Sequence, residues 1–243
     1  MEAIVTRGLS KRYRDAAAVE GLDLTVHRGE LFALLGVNGA GKTTTIRMLS
    51  CLTRPTAGDA LLGGKSVVSD SQAVKSIIAV SPQETAIAPN LTVRENLELM
   101  GGIHGLSRAQ AREKAAALAE RFGLDQIAGK RAKRLSGGWQ RRLSIAMALI
   151  SEPEILFLDE PTLGLDVLAR SDLWEMIRAL RGKMTLILTT HYMEEAEALS
   201  DRIGILKNGR LIFVGTAAQI KQKAGAERFE DAFVKLVKGE TLQ

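Results

Sequence analysis

A chain of 243 residues that is 46% hydrophobic, with 33 Lys and Arg against 28 Asp and Glu for a formal net charge of +5, can bury a substantial core. This composition excludes a disordered or fibrous chain, and the charge is modest for the length. The one cysteine, Cys51, excludes an intramolecular disulfide and a cysteine metal cluster, and reads as a small apolar filler in a reducing compartment.

The N-terminal MEAIVTRGLSKRY lacks the continuous apolar stretch of a secretory signal. No run in the sequence approaches the roughly 18 apolar residues that a spanning helix needs, so the expected location is cytoplasmic. The first clear element is LFALL at 31–35, a short apolar run of buried-strand type, followed by the glycine-rich GVNGAGKTTT and a helix-compatible IRMLSCL. IIAV, from Ile77, is a second buried-strand candidate. Helical signals then dominate. Thr92 with Glu95 and Ser107 with Gln110 have capping-box spacing, and Ala111, Ala115, Leu118, Ala119 and Phe122 follow one helical face that stops at Gly123.

KRLSGGWQRR places a serine and two glycines ahead of another apolar helical run, inside a basic cluster of Lys130, Arg131, Lys133, Arg134, Arg141 and Arg142. That cluster reads as a solvated face or as a site for anionic phosphates or lipid headgroups. EILFLD from Glu154 and MTLILTT from Met184 supply two more buried strands, and IGILKNGRLIFVG turns at Asn208 and Gly209 as a hairpin added to the main sheet. The expected fold is α/β: a parallel sheet with crossover helices, antiparallel β additions and an inserted helical lobe. The expected organisation is a single domain, with a core over about 1–91 and 152–220, a helical lobe over about 92–151 and a short tail at 221–243.

GVNGAGKT, made of Gly36, Val37, Asn38, Gly39, Ala40, Gly41, Lys42 and Thr43, fits G-x-x-x-x-G-K-[ST] between a strand and a helix. Glycines let backbone N–H groups close around phosphate oxygens, the helix N-terminus favours negative charge, and Lys42 adds a mobile positive one. The Thr43 hydroxyl suits Mg²⁺. ILFLDEP then ends a buried strand on two carboxylates, Asp159 for the Mg²⁺ shell and Glu160 as general base for an attacking water.

With LSGGWQ added to these motifs, the chain resembles the ATP-binding cassette (ABC) ATPases over nearly its whole length. The resemblance implies that Ser136, Gly137 and Gly138 contact the γ-phosphate of an ATP held by another protomer, so that two chains sandwich two ATP molecules. It implies further that Tyr13 stacks on adenine, that Thr44 lies in the phosphate site, and that Gln83 is the Q-loop amide that ligates Mg²⁺ or the attacking water. Asp166 in PTLGLD resembles the D-loop aspartate at the dimer interface, and His191, directly after MTLILTT, the switch histidine near the γ-phosphate. Leu163 departs from the serine or alanine common at its position, and Trp139 stands where the family is variable. His27 and His104 have no such context.

The function this implies is ATP hydrolysis that powers a membrane transporter, with the tail most like stand-alone ATPases of bacterial drug, lipid or polysaccharide exporters. The expected partners are a separate multi-spanning permease chain and a second ABC subunit, as a homodimer, with this chain peripheral on the inner face of the membrane. The alternative is a soluble ABC protein acting on ribosomes or DNA. Nucleic acid is disfavoured because there is one cassette and no long coiled-coil insertion.

Overall fold

A computed structural model describes residues 1–14 and 16–239; position 15 and the last four positions of the expected tail, 240–243, lie outside the described residues. The chain begins with two long antiparallel strands, β1 (Glu2–Tyr13) and β2 (Ala16–His27). β3 (Leu31–Leu35) leads into α1 (Lys42–Leu49), and β4 (Ala57–Leu62) and β5 (Lys65–Ser66) complete a four-stranded sheet in the order β2-β1-β4-β5. After α2 (Ser71–Lys75) and β6 (Ile78–Ser81) come the helices α3 (Val93–Ile103), α4 (Arg108–Arg121) and α5 (Gly137–Ala148). β7 (Ile155–Asp159), α6 (Val167–Arg178), β8 (Thr185–Thr190), α7 (Met193–Leu199) and the hairpin β9 (Arg202–Lys207) and β10 (Arg210–Gly215) follow. α8 (Ala217–Ala224) and α9 (Phe229–Lys238) close the described chain.

The six-stranded main sheet has the order β10-β9-β3-β8-β7-β6. β6, β7, β8, β3 and β9 are parallel, and β10 returns antiparallel along β9. The pleat splits each parallel strand between two cores. Leu31, Ala33, Leu35, Leu156, Leu158, Leu186 and Leu188 join the core on the helical side. Phe32, Leu34, Ile155, Phe157 and Ile187 face α1 and the antiparallel sheet. Both capping boxes form as the spacing predicts, at Thr92 and Ser107, and the Ala111, Ala115 and Ala119 face of α4 is buried. The hairpin turn also forms: Asn208 and Gly209 both have positive φ, 49° and 78°, as a two-residue turn matched to strand twist requires.

Hydropathy places no strand ahead of Leu31, yet two form there. β2 carries a period-2 signal, with Leu22, Leu24 and Val26 buried and Asp23 and His27 exposed. β1 hides its signal because its pairing with β2 shifts register repeatedly, which breaks the alternation. Arg141 also departs from the basic surface cluster expected around it, being only 5% exposed.

β1 bulges at Gly8, and Gly58 at the start of β4 fits against it with φ +73°; a Cβ at Gly58 would lie 2.2 Å from the Gly8 carbonyl oxygen. Gly58→Ala is expected to lower stability by about 2 kcal/mol or more. Urea unfolding measures this, and an unchanged midpoint would show that the two strands part without cost.

Candidate nucleotide site

The loop from Gly36 to α1 is shaped by close approach. A Cβ at Gly36 would sit 2.6 Å from the Leu206 carbonyl oxygen, and one at Gly41, where φ is +106°, 2.6 Å from that of Ala18. Gly41 caps α1 with no side-chain hydrogen bond, and the first turn of α1 holds no acidic residue. Its free N–H groups and positive dipole end therefore point at a cleft without a carboxylate of their own to satisfy them. The turn at Gly209 braces this loop from outside: its amide donates to the Ala40 carbonyl at 3.0 Å, and its carbonyl accepts from the Glu20 amide at 2.8 Å.

The cleft measures about 600 Å³. It is lined by the loop and helix start from Asn38 to Thr44, by Tyr13 and Ala18, and by Gln83, Glu160, Leu163 and His191. Tyr13 is 44% exposed and carries Lys11 Nζ 5.2 Å from its ring centroid.

Lining and underlying the cleft is a connected set of polar groups, most of them buried. Lys42 Nζ donates to the Gly36 carbonyl at 2.7 Å and the Val37 carbonyl at 3.4 Å, and pairs with Glu160 Oε1 at 3.2 Å. His191 Nδ1 lies 2.8 Å from Glu160 Oε2. With the carboxylate as acceptor, the proton is assigned to Nδ1, which leaves Nε2 for a ligand. Thr43 donates to Asp159 Oδ1 at 3.3 Å, and Thr189 donates to the same oxygen at 2.6 Å. Pairing of this kind offsets the cost of removing charges from water.

Glu160 has φ +49°, uncommon for a side-chain-bearing residue, and its amide is fixed by both the carbonyl and the hydroxyl of Thr189, each at 3.1 Å. The geometry aims a carboxylate from the end of β7 toward the loop. Gln83 is held from behind. Arg141 of α5 donates to the backbone carbonyls of Pro82 and Gln83, so the helix that begins with Ser136 grips the segment carrying Gln83. Burial lowers the Arg141 pKa, and Asp159 and Glu195 oppose that shift, keeping the guanidinium charged.

Ser136, Gly137, Gly138 and Asp166 are not part of this cleft. Ser136 caps α5 by backbone geometry without using its hydroxyl, and Gly138 abuts Ala169 of α6. Asp166 accepts the Ala169 amide at 2.9 Å as the N-cap of α6. The sequence motifs do not reveal Thr189, Arg141 or Ala18, whose parts depend on which strand or helix the fold sets beside them. Leu163 lines the cleft. Trp139 packs under the Arg142 guanidinium, 4.6 Å from its ring centroid.

A strand, a glycine-rich loop, a helix N-terminus and a facing Asp-Glu pair at a neighbouring strand end define a P-loop nucleoside triphosphatase. The sequence profile of the family described as ABC transporter matches residues 19–163. The chain is 46% identical over 229 residues to the daunorubicin resistance ATP-binding protein DrrA3 of Streptomyces coeruleorubidus, covering 94% of this chain and 72% of that one. It is 44% identical to the Nod factor export ATP-binding protein I of Burkholderia lata, covering 92% and 74%. Among solved structures, an ATP-binding subunit of an ABC transporter superposes with a TM-score of 0.84 at 30% identity, covering 96% of this chain and 99% of that one. A dimeric ATP-binding cassette in a post-hydrolysis state, bound to ADP and Pi, superposes at 0.78 with 26% identity, covering 88% and 98%. The chain therefore belongs to the ABC transporter family, as one of its ATP-hydrolysing, nucleotide-binding subunits.

Thr189→Val keeps the shape of the side chain but removes the donor to Asp159 and one acceptor for the Glu160 amide. It is expected to cost about 1–2 kcal/mol of stability and to lower ATP turnover more than it raises KM. Urea unfolding and steady-state ATPase assays check this; unchanged values in both would mean that the strand ends alone position the two carboxylates.

Proposed function

We propose that this chain is the ATP-driven engine of a membrane exporter, working as a pair of chains on a separate multi-spanning permease at the inner face of the membrane. The observation that carries the hydrolytic part is Glu160, held between Lys42 and His191. Lys42 exchanges Glu160 for the terminal phosphates, which frees Oε1 to take a proton from water. The water oxygen forms a bond to the γ-phosphorus as the bond to the bridging oxygen breaks, and ADP leaves with that electron pair. His191 keeps Oε2 oriented and turns Nε2 toward the phosphate.

The oxygens of Thr43, which lines the cleft, and of the buried Asp159 meet at 3.3 Å, the hard donor set that Mg²⁺ prefers, and among the described residues no cluster of three or more His, Cys, Asp or Glu competes for a metal. Thr43, Asp159 and Gln83 would hold the ion. When bound, it supplies charge neutralisation of the phosphates. Tyr13 offers its ring to adenine at the cleft edge.

Ser136, Gly137 and Gly138 lie outside their own chain's cleft with the serine hydroxyl unused by its helix, which supports their contacting ATP held by a second copy. The dimeric relative with ADP and Pi supports that pairing, with Asp166 near the interface. Among the described residues no helix is long and apolar enough to cross a membrane, which fits a permease on another chain. The resistance and export names of relatives support outward transport.

Pull-down of the tagged chain from membranes in mild detergent tests the assignment. A multi-spanning protein recovered at near-equal abundance is expected; ribosomal proteins or DNA without a membrane partner would overturn it. Glu160→Gln is expected to bind ATP, to lose at least about 100-fold in turnover and to elute as a dimer with Mg·ATP on gel filtration. A monomer with nucleotide bound would contradict the sandwich.

A further inference from the structure

Glu195 lies in the first turn of α7 and is fully buried. Its Oε1 accepts the Trp174 Nε1–H of α6 at 3.1 Å. The hydroxyls of Thr190, at the end of β8, and Thr162, in the loop after Glu160, face the same carboxyl. Thr190 Oγ1 also accepts the Tyr192 amide at 2.9 Å. Yet Glu195 Oε2 and Thr162 Oγ1, both closed off from solvent, stop short of hydrogen-bond geometry with any group. Helix formation does not require this arrangement, because Glu194 already offers the N-terminus of α7 a carboxylate from the exposed side. Unpaired polar atoms at such depth are costly, and their presence beside a reaction centre calls for a reason.

We propose that Glu195 is a positioning residue for ATP hydrolysis: one carboxyl, touching α6, the loop after Glu160 and the end of β8, holds Glu160 and His191 in register. The inference rests on the reading of those two residues as the hydrolytic pair. Thr190 directly precedes His191, and Thr162 closely follows Glu160. A group shared by the two threonines therefore sets the separation at which His191 Nδ1 meets Glu160 Oε2, 2.8 Å in this state.

Burial raises the Glu195 pKa; the neighbouring Thr190 and Thr162 hydroxyls and the Trp174 N–H pull it back, and Glu160 adds to the rise. The surrounding charges are accounted for. Glu160 faces it from the end of β7, paired to Lys42 and His191. Arg141 acts from α5, and Arg170 of α6 reaches α7 through Glu194 at 3.9 Å and the Tyr192 ring at 5.1 Å.

Steady-state ATPase kinetics of the full chain, with thermal melting to confirm folding, tests this. Glu195→Ala is expected to lower kcat on the order of 10- to 100-fold with KM for ATP changed less than about twofold. The conservative Glu195→Gln, which both donates and accepts, restores kcat to within about threefold of the parent. Should the alanine variant fail to fold, Trp174→Phe removes the donor bonded to Glu195 and Thr162→Val the hydroxyl that faces it, and both are expected to lower kcat with KM held.

Melting against pH supplies a second readout. The folded state binds the Glu195 proton more tightly than the unfolded one, so the parent loses this stabilisation as pH rises from the ordinary glutamate range toward the raised folded pKa. The advantage of Glu195→Gln should widen across that window. Folded Thr162→Val, Trp174→Phe and alanine variants with parental kcat, a glutamine variant as impaired as alanine, or a gap that does not change with pH would each overturn the proposal. Glu160→Gln separates the two levels: if it turns over ATP at the parental rate, the hydrolytic reading itself fails.

Discussion

Glu160 occupies the left-handed region one residue beyond a buried strand, and its amide is fixed by both oxygens that Thr189 offers from the neighbouring strand. Three strand ends meet around that constraint. β7 delivers Asp159 and Glu160, β8 delivers Thr189, Thr190 and His191, and β3, paired with β8, delivers the loop that carries Lys42. Parallel strands end at the same edge of a sheet, so one backbone arrangement gathers acid, histidine and lysine without a long-range side-chain reach. The strain at Glu160 is the local cost of aiming a carboxylate across that edge.

The helical lobe is joined to this edge through polar contacts as well as apolar ones. Arg141 binds the backbone of Pro82 and Gln83, and Ser144 on the same helix meets Ser81 of β6 at 3.2 Å in a buried contact. Capped by Ser136, α5 grips the Gln83 segment through Arg141 in its second turn, so displacement of the helix start carries that segment with it. A rigid helix with a fixed grip on a loop transmits motion, and apolar packing alone would let the two slide.

Much of the site is legible in the sequence because its parts are local. Gly36 to Thr43 needs only a strand before it and a helix after it, and Asp159 with Glu160 needs only an apolar run to set them at a strand end. Thr92, Ser107 and the Asn208–Gly209 turn are similarly short-range, and each forms as its spacing predicts. Arg141, Thr189 and Glu195 are different in kind. Each is a common polar residue made important by burial next to another element, and burial of a charge is a property of the assembled fold. Strand β1 is obscured for another reason, since bulges shift the register on which a period-2 pattern depends, whereas the alternation of Leu22, Leu24 and Val26 in β2 is there to be read.

The brace between Gly209 and Ala40 has a consequence for biosynthesis. The central strand β3 has both of its neighbours, β8 and β9, drawn from late in the chain, and the Leu31 amide is held by Asp201 across a separation of 170 positions. A nascent chain that has emerged only as far as α5 has its phosphate loop but neither the strands that flank β3 nor the turn that shapes the loop from outside. Nucleotide capture is therefore expected only of a polypeptide whose synthesis has passed the hairpin, so that bound ATP reports a completed β3 neighbourhood.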